Sequence, residues 1–471
     1  MKLPRLLIPR FLHPGYFSRA RTNQKITDTS WLNGLRGIAS LIVFNHHFVV
    51  PFTDMVWLPY GSEGHWAFME LPVVRLTYAG VPMLGFFFII GGYTNAISHL
   101  RLMRATDAVS RSKLLRNLSS SAFRRWFRLY LPVFSMMLLV SLLARTGLFA
   151  YTKPFVARGS QNLMLHGFPE RHLETFNTVW EQLSWLVLDA SGMANLFDFK
   201  RYYPAHDPHL WTIKEEFRAA LSLFILLLAT ASMKVSVRIV IFGLVALWQT
   251  WNKVWPIALF TCGALVAECH ISFQEMTSPL RTDEERAIKA GEQYTTPIMK
   301  LCSWTQKYCG HWLSFSLFLV SLWLLSTPNQ GYTTASGYQI LASTIPDWAP
   351  FKEMWLTNIG ALLFISVMLG QAKDSLYHQA FTNVYAQYLG ELSFAIYIIH
   401  GPMLHAFGYM LPLWFWQVFG DDGLIKFTLG LSLIWIINLL ILLTCADLFQ
   451  RHIEHRCGNF THRLESRWSA A

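Results

Sequence analysis

The sequence has little charge for its length. Asp, Glu, Lys and Arg make up 14% of its 471 residues, whereas 53% are hydrophobic. An average soluble domain carries about 25% charged residues. A chain this poor in charge cannot cover its whole surface with polar groups, so many apolar side chains must face lipid. This composition excludes a soluble multidomain enzyme, a disordered chain and a fibrous repeat.

Other features are also missing. The six cysteines form no CxxC pair, and Cys262, Cys269 and Cys445 lie inside apolar runs, so we interpret the cysteines as packed thiols. No apolar stretch typical of a cleavable signal peptide follows the basic residues 1–30. No basic stripe interleaved with aromatic residues accompanies the net charge of +11, so we do not expect nucleic-acid binding. We find no internal repeat and predict no metal site.

Long apolar runs predict an all-α, polytopic membrane bundle of about ten transmembrane helices. The ten runs are 34–50, 78–98, 126–145, 217–232, 236–250, 255–271, 312–326, 355–371, 388–410 and 425–447. Several are shorter than the roughly 20 residues that a bilayer requires. They are nevertheless too long and too uniformly apolar for barrel strands. Segment 179–188 is too short to span, and we interpret it as interfacial or re-entrant.

The distribution of Lys and Arg predicts the orientation of the bundle. With ten spans both termini share one side, where 143 residues contain 24 Lys and Arg, against 9 in the 144 residues of the other side. Cytoplasmic loops of membrane proteins are enriched in these residues. We therefore expect both termini in the cytoplasm, with a basic tail at 1–30, a membrane domain at 31–450 and a C-terminal tail at 451–471.

The first apolar run contains a guanidinium and an imidazole on one helix face. Arg36 and His47 are eleven residues apart. This spacing is about 20° beyond three full turns and about 16 Å along a helix. Ionisable residues inside spans are candidates for function. The alternative is that Arg36 reaches lipid headgroups and His47 packs with one hydrogen bond. His46 points about 100° away, and we interpret it as structural.

Three further groups have both a structural and a functional interpretation. His400 precedes Gly401-Pro402 and could satisfy a carbonyl freed by the proline, or take part in chemistry. Gly91-Gly92 fits close helix packing, or room for a ligand. The carboxylate of Glu216, at a predicted membrane boundary, fits a solvated cap, an arginine partner, or a site residue.

A cluster of arginines opens the third run. Arg124, Arg125 and Arg128 follow a loop that is itself rich in Lys and Arg. Orientation of the helix and contact with anionic lipid account for most such residues. The alternative is that these guanidinium groups bind the phosphates of a cytosolic ligand.

Taken in order, these motifs resemble those of the acyltransferase 3 family of integral-membrane acyltransferases, particularly its fungal members. The resemblance covers about residues 31–445. The shared motifs are Arg36-x10-His47, the aromatic run ending in Gly91-Gly92-Tyr93, Arg124-Arg125-x2-Arg128-Leu-x-x-Pro132, Trp211-Thr-Ile-x-x-Glu216-Phe217-Arg218, and Leu392-Ser-Phe-x-x-Tyr397-x-x-His400-Gly-Pro. Each motif alone is weak evidence for the family, but five motifs in this order, together with ten apolar runs, are specific for it.

The resemblance implies transfer of an acyl group, often acetyl, from coenzyme A to a hydroxyl of a sugar, lipid, peptide or small metabolite. It implies that Arg36 and His47 are essential and that His47 acts on the acceptor hydroxyl. An imidazole has a suitable intrinsic pKa for a general base near neutral pH. The fungal resemblance also suggests the endoplasmic reticulum membrane.

The mechanistic hypothesis is direct transfer without a metal. His47 takes the hydroxyl proton, Glu216 orients His47 or the acceptor, and His400 is a second candidate base or an oxyanion donor. The residues expected to bind the phosphates of acyl-CoA, most often acetyl-CoA, are Arg36, Arg124, Arg125 and Arg128. A covalent acyl-enzyme through Ser393 or a cysteine is an alternative, although no nucleophile–base pair is visible in the sequence.

Some positions depart from the family pattern. Asn33 stands where Asp is frequent, Gly91 where Ser is usual, and Lys214-Glu215 replace a neutral pair, which leaves Glu215 and Glu216 as alternatives.

Two other functions compete with acyl transfer. One is a transporter or flippase whose path the membrane His and Arg residues line, although the paired halves common in transporters are not seen. The other is a catalytically inactive scaffold.

Overall fold

The computed structural model describes residues 8–62, 64–105, 107–159, 170–174, 176–290, 297–349, 352–420 and 423–468. Within these ranges all regular secondary structure is helical and there is no strand, which confirms the all-α prediction. The helices are α1 (Tyr16–Asn23), α2 (Ser30–Val49), α3 (Gly80–Arg104), α4 (Ala108–Ala144), α5 (Leu148–Gly159), α6 (Val179–Ala194), α7 (Trp211–Ala229), α8 (Val235–Trp251), α9 (Trp255–Ala290), α10 (Pro297–Leu325), α11 (Gln339–Ser343), α12 (Lys352–Leu369), α13 (Leu376–Thr382), α14 (Val384–Met403), α15 (Met410–Phe419), α16 (Leu424–Phe449) and α17 (His455–Trp468).

Each predicted apolar run lies on a helix of the bundle. Within the described part of the chain, six helical segments are long and apolar enough to cross a membrane: Gly80–Arg104, Val109–Ala144, Trp255–Glu275, Lys352–Leu369, Val384–Phe419 and Ile425–Trp468. The protein is therefore an integral-membrane helix bundle, and the count of ten spans stays a prediction. Helices α2 and α7 are not among the six, because they carry the polar and charged residues singled out above.

Glycines allow α2, α3, α9 and α14 to approach one another closely. A Cβ atom on Gly37 would lie 2.3 Å from the backbone nitrogen of Gly390, so α2 and α14 touch through their backbones. In the same way, a Cβ on Gly92 would lie 2.0 Å from the carbonyl oxygen of Phe260. Small residues at helix crossings are typical of membrane bundles. This packing places α2 inside the bundle, between α14 and α3.

The apolar segment 179–188 forms the first part of α6. Trp180 and Val187 are 80% and 68% exposed, whereas Asp189 and Met193 on the other face are buried. One face of α6 is thus apolar and outward, as in helices that lie in a membrane interface. The interfacial interpretation of this segment stays a prediction.

The described parts of both terminal segments pack on the bundle at the same end. Arg10 donates hydrogen bonds to Asp447 (2.6 Å), Glu391 (2.9 Å) and Gln450 (2.5 Å). At the other terminus, α17 packs against α4. The carboxylate of Asp447 is fully buried, so its ion pair with Arg10 satisfies a charge that would otherwise be costly.

We predict that Gly37→Ala destabilises the protein. The added methyl group collides with the backbone of α14, and overpacking of this kind costs about 1–3 kcal/mol of folding free energy. Gly243→Ala in α8 is the matched control, since no atom lies within 4 Å of its added Cβ. Replacing a helical Gly by Ala at such a position stabilises by about 0.5–1 kcal/mol. Thermal unfolding of both variants in detergent tests the prediction, and equal midpoints would contradict it.

Candidate active site

A cavity of about 540 Å³ opens between α2, α3, α4, α7, α14 and α17. Its volume is in the range of small-molecule sites. Five charged residues singled out in the sequence line it together: Arg36, Arg124, Arg125, Arg128 and Glu216. The structure thus brings together, in one concave site, residues from three separate motifs.

The cavity has an excess of positive charge. Its four guanidinium groups face the carboxylates of Glu216 and Glu454. Arg125 is paired with Glu216. Arg36 and Arg128 form no ion pair with any residue that the structure describes, although both line the cavity. Guanidinium groups of this kind bind phosphates with charge-assisted hydrogen bonds.

The C-terminal segment closes one side of this cavity. Glu454, His455, Asn459 and His462, all within the tail predicted at 451–471, line it. The carboxylate of Glu465 lies 3.4 Å from the Arg124 side chain and ties α17 to α4. This part of the chain therefore contributes to the cavity.

The structure separates the two neighbouring glutamates. Glu216 lines the cavity, whereas Glu215 is buried and accepts a hydrogen bond from Arg218 (3.3 Å). Of the two, Glu216 is the one that lines the cavity. The sequence analysis expected Glu216 to orient either His47 or the acceptor. The contact with His47 is corrected here, because among the described residues the carboxylate that meets His47 belongs to Glu170, and a role towards the acceptor stays a prediction.

A second group of ionisable side chains lies beside the far end of α2. His47 Nδ1 donates a hydrogen bond to Glu170 Oε1 (2.8 Å), and the other oxygen of this carboxylate is 3.5 Å from His209 Nε2. The centroids of the two imidazole rings are 4.4 Å apart. Glu170 therefore bridges two histidines that are 162 positions apart in the sequence.

His400 joins this group from α14. Its ring centroid lies 5.2 Å from that of His47 and 5.1 Å from that of His209. His400 Nδ1 donates to the carbonyl oxygen of Tyr397 (2.7 Å), while its Nε2 is buried without a hydrogen-bond partner among the described residues. The imidazole does satisfy a carbonyl, as the structural interpretation expected, and still presents a free nitrogen to His47 and His209.

Carboxylates on both sides control the charge of His209. Its Nδ1 donates to Asp207 Oδ1 (2.8 Å). Burial lowers the pKa of His209, but the hydrogen bond to Asp207 and the nearby carboxylate of Glu170 outweigh burial and raise that pKa to about 10. Burial also raises the pKa of Glu170, but His47 and His209 hold it well below its ordinary value. At neutral pH an ionised Glu170 therefore lies next to a charged His209.

Tyr397 lies next to both the arginine-lined cavity and the histidine group, which consists of His47, Glu170, Asp207, His209 and His400. Its side chain lines the cavity, and its hydroxyl donates to the carbonyl oxygen of His209. Thr212 Oγ1 is 2.5 Å from the same hydroxyl. Tyr397 and Thr212, which also lines the cavity, therefore connect the two places by hydrogen bonds.

The structure shows the surroundings of two further positions discussed from the sequence, His46 and Gly91. His46 hydrogen-bonds through Nδ1 to the carbonyl of Tyr78 (3.2 Å), in accord with its structural interpretation. Gly91 lines the cavity, and a Cβ there would lie 2.7 Å from the ring of Phe260. The aromatic ring therefore occupies the space that a serine side chain would take.

Sequence reasoning missed three residues of the histidine group. Asp207 and His209 stand immediately before the Trp211 motif, and an Asp-x-His pair at that place is a signal that could have been read. Glu170 lies in a long loop with no recognisable motif. Only the folded chain brings it to His47.

A helical membrane protein with a cationic cavity and a buried carboxylate–imidazole pair has the groups expected of a membrane enzyme that transfers a group from an anionic donor. The model of the acyltransferase 3 family, described as an acyltransferase domain, matches residues 29–449. The chain belongs to this family, and it is an integral-membrane acyltransferase.

Fungal acyltransferases are similar to the chain over almost its whole length. The O-acetyltransferase PaAT-1 of Phomopsis amygdali is 26% identical over 94% of this chain and 86% of its own. Acyltransferase R4 of a Phoma species is 25% identical, over 93% and 97% of the two chains. Acyltransferase clz18 of Cochliobolus lunatus is 26% identical, over 93% and 96%. No solved structure matches the chain.

We predict that Gly401→Ala impairs acyl transfer without unfolding the bundle. A Cβ on Gly401 would lie 2.4 Å from His209 Nδ1 and 2.8 Å from Asp207 Oδ1, so it would push this pair away from Glu170. Misplacement by about 1 Å costs about 100-fold in rate. The measurement is turnover together with the thermal midpoint, with Gly243→Ala as control. Turnover equal to that of the wild type would show that the position of His209 does not matter.

Proposed function

We propose that the protein is an O-acyltransferase that moves an acyl group, most often acetyl, from acyl-CoA to an acceptor hydroxyl, with His47 as general base. The observation that carries the proposal is the His47–Glu170 pair at one end of α2, with the arginine-lined cavity at the other end. The acceptor is a hydroxyl-bearing small metabolite, sugar or lipid. The name of the Phomopsis relative supports acetyl as the group and oxygen as its destination.

The donor enters the arginine-lined cavity from the cytoplasm. The guanidinium groups of Arg36 and Arg128, which have no ion-pair partner among the described residues, are available for its phosphates. The enrichment of Lys and Arg on the side of both termini supports a cytoplasmic orientation of this end. We place the protein in a ten-span topology and, on the fungal resemblance, in the membrane of the endoplasmic reticulum.

The part of acyl-CoA that carries the thioester then extends along α2 towards His47. The two ends of this path are about 16 Å apart, the length of three helical turns. The hydrogen-bonded pair of Tyr397 and Thr212 lies across the path, so its side chains must rotate to admit the thioester. In this arrangement the donor and the acceptor approach the reaction from opposite ends of the bundle.

The reaction is a direct attack of oxygen on the thioester. Because Glu170 accepts the Nδ1 proton of His47, the Nε2 lone pair is free to take the hydroxyl proton. The hydroxyl oxygen forms a bond to the acyl carbon, the carbon–sulfur bond breaks, and the proton passes from His47 to the departing thiolate. Ionised Glu170 stabilises the imidazolium formed between these steps, as the carboxylate of a catalytic triad does.

Two alternative roles are weighed against this arrangement. His400 donates through Nδ1, so its Nε2 carries a lone pair, which favours a second base over an oxyanion donor. Ser393 lines the cavity, but no imidazole hydrogen-bonds to it among the described residues. Direct transfer is therefore favoured over an acyl-enzyme at Ser393.

The proposed function is tested with membranes that contain the wild-type protein or His47→Ala. Labelled acetyl-CoA is added with an extract of candidate acceptors, and acylated products are identified by mass spectrometry. Loss of a general base lowers turnover by about 10²–10⁴-fold. His47→Ala should keep acetyl-CoA binding, because His47 lies outside the cavity. Turnover near the wild-type rate in this variant would overturn the assignment of His47.

A second prediction concerns the donor. Arg128→Gln removes a charge-assisted hydrogen bond worth about 1.5–3 kcal/mol, so the Kd for acetyl-CoA should rise about 10–100-fold. Arg116→Gln is the matched control, because Arg116 lies on the same helix, is exposed and does not line the cavity. Calorimetric titration of both variants measures the effect. An equal change of Kd in the two would mean that general charge, and not the cavity, attracts the donor.

A further inference from the structure

Three imidazole rings of the histidine group lie close together. A ring nitrogen of each of His47, His209 and His400 lies within 4.8 Å of a ring nitrogen of the other two. His209 and His400 are buried, and the side chain of His47 is 23% exposed. The three residues come from α2, from the turn before α7 and from α14, so the convergence is a product of the tertiary structure.

Each of these rings is oriented by an acceptor on its Nδ1 side. The acceptors are Glu170 Oε1 for His47 (2.8 Å), Asp207 Oδ1 for His209 (2.8 Å) and the carbonyl oxygen of Tyr397 for His400 (2.7 Å). A hydrogen bond to a carboxylate or carbonyl on the far nitrogen is the usual support of a metal-binding histidine, because it fixes the tautomer and the direction of the ring.

The remaining nitrogens are available to a metal ion. With Nδ1 as donor in all three rings, the Nε2 atoms are the ones left as ligands. Those of His209 and His400 are buried and make no hydrogen bond to a described residue, although His209 Nε2 is 3.5 Å from Glu170 Oε2. A metal ion that replaces the proton of His209 can accept the lone pairs of all three nitrogens at once.

We propose that His47, His209 and His400 bind one divalent transition-metal ion, with zinc as the best match, and that Glu170 supplies the fourth ligand. Three imidazole nitrogens and one carboxylate oxygen form a donor set that zinc binds tetrahedrally. With Zn–N bonds of about 2.0–2.1 Å, two nitrogen ligands lie about 3.3 Å apart. The rings must therefore close on the ion by up to about 1.5 Å, and the ion displaces any proton on His209 Nε2.

Such an ion would inhibit the enzyme. This consequence rests on the proposed function, in which the Nε2 lone pair of His47 takes the acceptor proton. The same lone pair cannot hold a metal ion and accept a proton, so metal and turnover exclude each other. The direct transfer proposed above uses no metal, so the site would be a means by which zinc switches the enzyme off.

The binding experiment does not depend on activity. Purified full-length protein in detergent is stripped with EDTA, equilibrated with zinc chloride, passed through a desalting column and analysed for metal by mass spectrometry. We expect about one zinc per chain in the wild type. His400→Gln should lose the metal, whereas Asp207→Asn, which alters the support of His209, should bind it about 10–100-fold more weakly.

His405→Gln is the matched control. His405 is a buried histidine whose ring centroid is 5.9 Å from that of His209. Its Nε2 also makes no hydrogen bond to a described residue, yet His405 is not one of the three proposed histidine ligands. This variant should keep the zinc. If it loses zinc as His400→Gln does, or if the wild type retains less than a tenth of an equivalent, the proposal is overturned.

Cobalt provides a measurement on the wild-type protein alone, in case a variant does not fold. Co²⁺ in a tetrahedral site with nitrogen ligands gives intense visible absorption, and zinc should abolish it by competition. Colourless protein at saturating cobalt would contradict the proposal. Zinc should also lower acyl transfer reversibly, with recovery on addition of EDTA. If no acyl transfer occurs at all, the proposed function fails, while the metal content and the cobalt spectrum still decide the metal site.

Discussion

The structure depends on one close contact, that of α2 with α14. Gly37 and Gly390 let the two backbones touch, and Gly401 further along α14 leaves room for His209 and Asp207. A polar helix such as α2 is costly in lipid, so it has to be surrounded by other helices. Once it lies inside the bundle, its guanidinium and its imidazole can both reach polar surroundings without facing lipid tails.

The consequence is a protein with two polar compartments in one apolar bundle. Positive charge is concentrated in the cavity at the Arg36 end, where phosphates are the natural ligands. The His47 end instead holds imidazoles and carboxylates, the groups of acid–base chemistry. The Tyr397–Thr212 pair lies next to both compartments, which suits the proposed reaction between an anionic donor and a hydroxyl-bearing acceptor.

The histidine group also shows how closely base catalysis and metal binding are related. Both need an imidazole with one unprotonated nitrogen, whose other nitrogen donates a hydrogen bond to a carboxylate or carbonyl oxygen. One general base requires one such ring, whereas three rings lie together here, hydrogen-bonded on Nδ1 to Glu170, Asp207 and the Tyr397 carbonyl. The two additional imidazoles distinguish this site from a single histidine–carboxylate pair.

From the sequence alone one could predict the all-α class, the apolar helices and the arginines that line the cavity, but not the cavity-lining residues of α17. Apolar runs, arginine motifs and the eleven-residue spacing of Arg36 and His47 are local or periodic features, and a helix converts them directly into faces and lengths. The partners of His47 were decided by the tertiary structure alone. Glu170 and His209 approach it from a long loop and from a turn, whose paths depend on packing between distant helices. No periodicity along the chain encodes such contacts.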